Sequence, residues 1–145
     1  MLNETDLAEL TALRQALHRA PELSGHEHET AARIAGALRD LGADEVLAGL
    51  GGTGVAAGFR GAVPGPSVMF RAELDALPIH ETGARPHVSA RPGIAHLCGH
   101  DGHMAGLLGL ARLLARARPA RGMVWLFFQP AEENGAGAAL MLADP

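Results

Sequence analysis

Apolar positions along this chain recur with two periods, and each change of period marks an element. Residues 5–19 carry Leu7, Leu10, Leu13 and Leu17 at helical spacing. Thr5 is a candidate N-cap, Asp6 and Glu9 suit the positive end, and Pro21 stops the helix. Residues 28–41 repeat the pattern with Ile34, Leu38 and Leu41, and Gly42 is placed to end it. The period then falls to two: Val55, Ala57 and Phe59 share one side of a strand over 54–59. A second short strand is predicted over 67–71, and the Gly- and Pro-rich stretch 60–66 reads as a hairpin-type connection. Residues 73–101 show no period, and a structureless segment that long inside a domain is usually functional. A helix is predicted over 103–117, with Met104, Leu107, Leu108, Leu110, Ala111 and Leu114 nearly encircling it. Residues 122–128 are continuously apolar, as in a central strand covered on both faces. Another helix is expected over 135–143.

This alternation of strands and helices predicts an α/β layered sheet in one domain, residues 1–145. In open α/β sheets ligands bind beyond the carboxyl ends of the strands. Two chemically loaded stretches fall at such places, at 98–103 and 129–133.

Composition narrows the function classes. Net charge is −4 with His neutral, which gives no electrostatic case for nucleic acid or an anionic membrane. All 12 basic residues are Arg, which excludes Schiff-base lysines and GK[ST] phosphate loops. A single cysteine cannot form an internal disulfide. Neither a signal-like N-terminus nor an apolar run of membrane-spanning length is evident, so a cytoplasmic protein is expected.

Cys98-Gly99-His100-Asp101-Gly102-His103 holds that cysteine and two of the 8 histidines. In an extended segment, side chains two apart point the same way, so Cys98 and His100 could share one ion. Sulfur and imidazole together favour a transition metal over magnesium or calcium. The competing reading is a small buried cysteine beside a hydrogen-bonded histidine. His96, Asp101 and His103 nearby strengthen the metal reading. Glu132 and Glu133 are adjacent carboxylates after an apolar strand. They are either a solvated loop or a pair with divided roles, one on metal and one moving protons. Asp75 or Glu73 could support a metal-bound histidine; alternatively they form an acidic loop paired with Arg71. His18 suits a structural role late in its helix, His26 and His28 read as surface residues, and nothing marks His80 or His87 as ligands.

Four stretches occur in register: 17–24 (LHRAPELS), 71–79 (RAELDALPI), 98–104 (CGHDGHM) and 128–133 (FQPAEE). Together they resemble the M20 metallopeptidases, in particular the amidohydrolase branch that includes hippurate and N-acyl-amino-acid hydrolases. The resemblance implies a layered α/β/α catalytic domain of a di-metal, zinc-peptidase-like hydrolase. Two divalent ions (Zn, Mn or Co) would share a bridging water. Cys98, His100 and Glu133 would be metal ligands, Glu132 the general base, and Asp75 a supporting catalytic aspartate. The implied substrates are N-acyl amino acids or dipeptide-like amides, making the activity aminoacylase- or carboxypeptidase-like. Glu73 stands where the family commonly has Asp. Family members are longer, with two further histidine ligands and a lid or dimerisation domain that often makes them homo-oligomers. The chain therefore reads as the N-terminal part of such a catalytic domain without that lid. Its 145 residues alone would supply three ligands, and the alternative reading is a non-catalytic fragment that binds at most one ion.

Overall fold

A computed structural model describes residues 1–144. Four helices and four strands follow in the order α1 (Glu4–Arg19), α2 (His28–Asp40), β1 (Glu45–Leu50), β2 (Gly54–Arg60), β3 (Val63–Glu73), α3 (His100–Arg116), β4 (Arg121–Gln129) and α4 (Gly137–Ala143). The fold is the expected mixed α/β arrangement. The strands form one sheet in the order β1-β2-β4-β3. β1 and β4 flank β2 antiparallel, and β3 runs parallel to β4.

That order overturns the hairpin expectation. β4 lies between β2 and β3, so residues 60–66 connect strands that do not pair. Most of that stretch is itself strand: β3 begins at Val63 and carries Pro64 and Pro66, with a register irregularity before Ser67. Proline survives there because β3 lies at the end of the sheet, where one side needs no ladder donors. β3 and β4 with α3 between them form a β-α-β crossover, which explains why a helix separates two parallel strands.

One sheet face packs on α2 and α3, and α1 packs on α3. The core joins Leu17, Ile34, Leu38, Val55, Phe59, Met104, Leu108, Leu126 and Phe128, each at most 2% exposed. Each such side chain contributes about 1.5–3 kcal/mol on burial. The stripe of α1 is narrower than expected: Leu10 and Leu17 are buried but Leu7 is 54% exposed. Asn3, not Thr5, caps this helix, in a capping box with Asp6. Helix α3 buries one side only, because Gly102, His103 and Gly106 face solvent. Strand β4 buries Leu126 and Phe128 but leaves Met123, Trp125 and Phe127 half-buried. The far face receives the short α4, whose Met141 side chain meets Gly54. Among the described residues no helix is long and apolar enough to cross a membrane.

Candidate metal centre

The carboxyl ends of β3 and β4 lie side by side, with Glu73 paired to Gln129. Leu74 N–H donates to Gln129 O at 2.8 Å, which holds the two outgoing loops together. Helix α3 begins at the same edge. Its N-cap Gly99 has φ 94°, a left-handed conformation that glycine takes without strain. The chain therefore does not pass Cys98 and His100 in extended form; it turns sharply at Gly99 and enters the helix at His100. The turn, rather than strand alternation, brings the two side chains together.

A sulfur or nitrogen of Cys98 and His100 and a carboxylate oxygen of Glu133 all lie within 4.8 Å of one another. Cys98 is exposed, which removes the reading of a small core cysteine. His100 is 2% exposed, and its Nδ1 lies 2.8 Å from the Asp75 carbonyl oxygen. A carbonyl only accepts, so Nδ1 carries a hydrogen and Nε2 is the free ring nitrogen of the neutral histidine. Nε2 faces carboxylates of Glu132 at 3.6 Å, Glu133 at 3.7 Å and Glu73 at 3.9 Å. These separations are too long for hydrogen bonds. They approach the separation of about 3.4 Å expected for two light-atom ligands on one tetrahedral ion. Glu133 Oε1 is buried and has no hydrogen-bond partner. An unpartnered buried oxygen, an imidazole lone pair and a thiol converging on one point form a donor set that fits a transition-metal dication.

Asp75 organises this set from beneath. It is fully buried, and its Oδ2 accepts from Ser24 Oγ at 2.7 Å and Glu133 N–H at 2.9 Å. Its Oδ1 lies 3.5 Å from His100 Nδ1. Burial pushes its pKa up, but the neighbouring His100 ring and the hydrogen bonds from Glu133 N–H and Ser24 Oγ prevail and lower it to about 2. Burial opposes a charge on His100, yet Asp75 and Glu73 outweigh it and raise its pKa to about 9. Desolvation of the sulfur, then the carboxylates of Glu133, Glu132 and Glu73, push the Cys98 thiol above its usual range. Both groups thus hold protons at neutral pH in the ion-free protein, at positions a dication would compete for.

The other candidates separate clearly. Glu132 is 36% exposed against 16% for Glu133, so the adjacent pair does diverge in environment. Glu73 pairs with Arg71 at 2.8 Å, as the ion-paired alternative expects, and with His103 at 2.7 Å; Glu73, His100 and His103 also offer ligand atoms within 4.8 Å of one another. His18 is buried and bridges Asp101 (2.9 Å) and Glu81 (3.0 Å), tying α1 to the start of α3 and to the long loop. That is a structural role, but through two carboxylates rather than the helix dipole. His96 is buried with neither ring nitrogen partnered, and it stands outside both groups of candidate ligands. Burial lowers its pKa to about 4. His26 and His28 are exposed, as expected. Sequence reasoning missed Ser24 as a partner of Asp75, although it lies inside the 17–24 stretch.

Residues 69–144 match the peptidase family M20/M25/M40. The chain is 44% identical over 137 residues to an N-acetyl-L-cysteine deacetylase of Bacillus subtilis, covering 94% of this chain and 33% of that protein. It is 38% identical over 136 residues to an N-acetyldiaminopimelate deacetylase of Enterococcus faecalis, covering 94% and 36%. The crystal structure of the Bacillus subtilis YXEP protein, described as a dinuclear metal-binding peptidase from the M20 family, superposes with a TM-score of 0.91. It shares 40% identity over 97% of this chain and 40% of that one. The chain thus spans about a third of the length of the curated relatives it matches.

Proposed function

The chain belongs to peptidase family M20/M25/M40, and from that membership we propose that it contributes half of the active site of a metal-dependent amidohydrolase acting on N-acyl amino acids. The observation that carries this reading is the convergence of Cys98, His100 and Glu133 around the free Nε2 of His100. The deacetylases among its relatives support the substrate class, an N-acyl amino acid or dipeptide-like amide.

In this reading Cys98, His100 and Glu133 hold one divalent ion, and a second shares the site in the complete enzyme. The chemistry supplied by such ions is Lewis-acidic: polarisation of the amide carbonyl and a lowering of water's pKa toward about 7. Glu132, more exposed than its neighbour, faces the substrate side. Its carboxylate takes a proton from the attacking water and gives it to the departing amine nitrogen. The C–O bond forms first and makes the carbonyl carbon tetrahedral; the C–N bond then breaks as the nitrogen takes that proton, and the products are an amine and a carboxylic acid, which ionises. Asp75 keeps Nδ1 of His100 hydrogen-bonded and Glu133 in place, which fixes the direction in which both offer their ligand atoms.

The test is amine release from N-acetyl amino acids with Mn²⁺, Co²⁺ or Zn²⁺, using the protein expressed from its full natural reading frame. Hydrolysis that falls about 10²–10⁴-fold in Glu132→Gln supports the reading. Absence of hydrolysis with all three metals, or an unchanged rate in that variant, refutes it.

A further inference from the structure

We propose that Glu27 is a positioning residue for Glu132 and Glu133, acting through the backbone of Ala131. The proposal rests on the roles assigned above to those two carboxylates. Glu27 is fully buried. It occupies the N-cap position of α2, yet its side chain makes no capping bond to that helix. Glu22 does that work instead, accepting from Thr30 N–H at 2.7 Å. The Glu27 carboxylate reaches across to the sheet edge: Oε1 accepts from Ala131 N–H at 2.8 Å and Oε2 from Thr53 Oγ at 2.7 Å. A buried carboxylate without an ion-pair partner is costly, so a loop that depends on its hydrogen bonds is a sufficient reason for its place.

Ala131 supplies the second, independent observation. Among the described residues it is the one non-glycine with a positive φ, at 48°. L-residues rarely adopt that conformation, and it persists only where the surroundings hold it. Two contacts do so here. Glu27 takes the Ala131 N–H, and Gly137 N–H donates to Ala131 O at 3.0 Å. Gly137 is required there, because a Cβ would lie 1.6 Å from Pro130 O. The left-handed turn at Ala131 sets the direction of the two residues that follow it. Without the Glu27 acceptor, a buried N–H would be left unpaired and the turn would relax toward ordinary backbone, carrying Glu133 off His100.

Two substitutions separate geometry from charge. Glu27→Gln keeps the reach: its carbonyl oxygen accepts from Ala131 N–H and its NH₂ donates to Thr53 Oγ. Glu27→Asp keeps the charge but is one methylene short. The first readout is hydrogen exchange of the Ala131 amide by NMR, without metal. The second is Co²⁺ affinity of the chain, read from the sulfur-to-cobalt charge-transfer band of Cys98. Protection of the amide should persist in the Gln variant and be lost in the Asp variant. Co²⁺ affinity should stay near the parent's with Gln and fall about 10–100-fold with Asp. Adding Ala131→Gly to the Asp variant should recover part of that loss, since glycine takes the left-handed turn unaided. An Asp variant with parental Co²⁺ affinity, a Gln variant as weak as the Asp variant, or an Asp variant that does not fold would each overturn the proposal. A parent chain that binds no Co²⁺ while the amide pattern holds would instead refute the metal reading and leave the Glu27 anchor standing.

Discussion

Replacing Asp75 with Asn probes the centre of the site with the least change of shape. Both donors to the carboxylate, Ser24 Oγ and Glu133 N–H, converge on Oδ2. The Asn carbonyl oxygen can take that position and keep them. Its NH₂ then replaces Oδ1, 3.5 Å from a His100 Nδ1 that already donates to the Asp75 carbonyl. Two donors face each other, and the negative charge is gone. The magnitude follows from the titration of Asp75: lowering its pKa from 3.8 to about 2 corresponds to about 2 kcal/mol of stability at neutral pH. The carboxylate is inaccessible to solvent, so screening reduces that figure little. For a domain of about 5–15 kcal/mol total stability this loss is readily measured. With a urea m-value of about 2 kcal/mol/M, the unfolding midpoint should fall by about 1 M at pH 7. The sign with pH is fixed. The folded pKa lies below the unfolded one, so the contribution is full above about pH 4 and fades as pH falls toward 2. The Asn variant should converge on the parent over that range. His100 also loses basicity, and Co²⁺ affinity should drop about 10–100-fold. Coincident midpoints at pH 7, with Co²⁺ affinity unchanged, would refute the account of Asp75.

Other consequences follow from the same contacts. Asp6 is held well below the usual carboxylate range, chiefly by its hydrogen bond with Arg116 and then by the Asn3 N–H, with Arg112 adding to both. Asp6→Asn should lower the melting temperature at pH 7, and the difference from the parent should shrink on acidification below the unfolded carboxylate pKa near 4; equal melting temperatures at pH 7 would contradict it. Phe128→Ala removes a fully buried ring from the face of β4 that packs on the helices and should cost about 3–5 kcal/mol in urea unfolding, enough to unfold a marginal domain. Cys98 and His100 both carry protons at pH 7 before an ion arrives, so Zn²⁺ uptake should release about two protons, measured by calorimetry in buffers of different ionisation enthalpy. Release of none would mean that neither group is a ligand.

The long helices were legible because α1 and α2 have one-sided apolar stripes and α3 is apolar nearly all round, and β2 because Val55, Ala57 and Phe59 alternate. β1 was not. Glu45–Leu50 shows no alternation and buries none of its residues fully at the sheet edge, so no local pattern marks it. The pairing of β2 with β4 was hidden for a different reason. Chain neighbours suggest a hairpin, but a strand as apolar as 122–128 buries more when flanked on both sides, and it takes the central place. At the site, the residue types and their order were readable, whereas the means of convergence was not: a turn at Gly99 does what an extended segment was expected to do. Ser24 and Glu27 act across 51 and 104 residues, respectively, through single hydrogen bonds. Ala131 takes its left-handed backbone against its own preference. Nothing in a local window signals any of these, since each is fixed by tertiary contacts alone.

In the proposed site Cys98, His100 and Glu133 meet on one ion while Glu132 stays free of it. A crystal of this chain grown with Co²⁺ or Zn²⁺ and measured at the metal's absorption edge tests it directly. The expected anomalous peak is bonded to Cys98 Sγ, His100 Nε2 and a Glu133 carboxylate oxygen. A peak elsewhere, or one that takes Glu132 in place of Glu133, would contradict it.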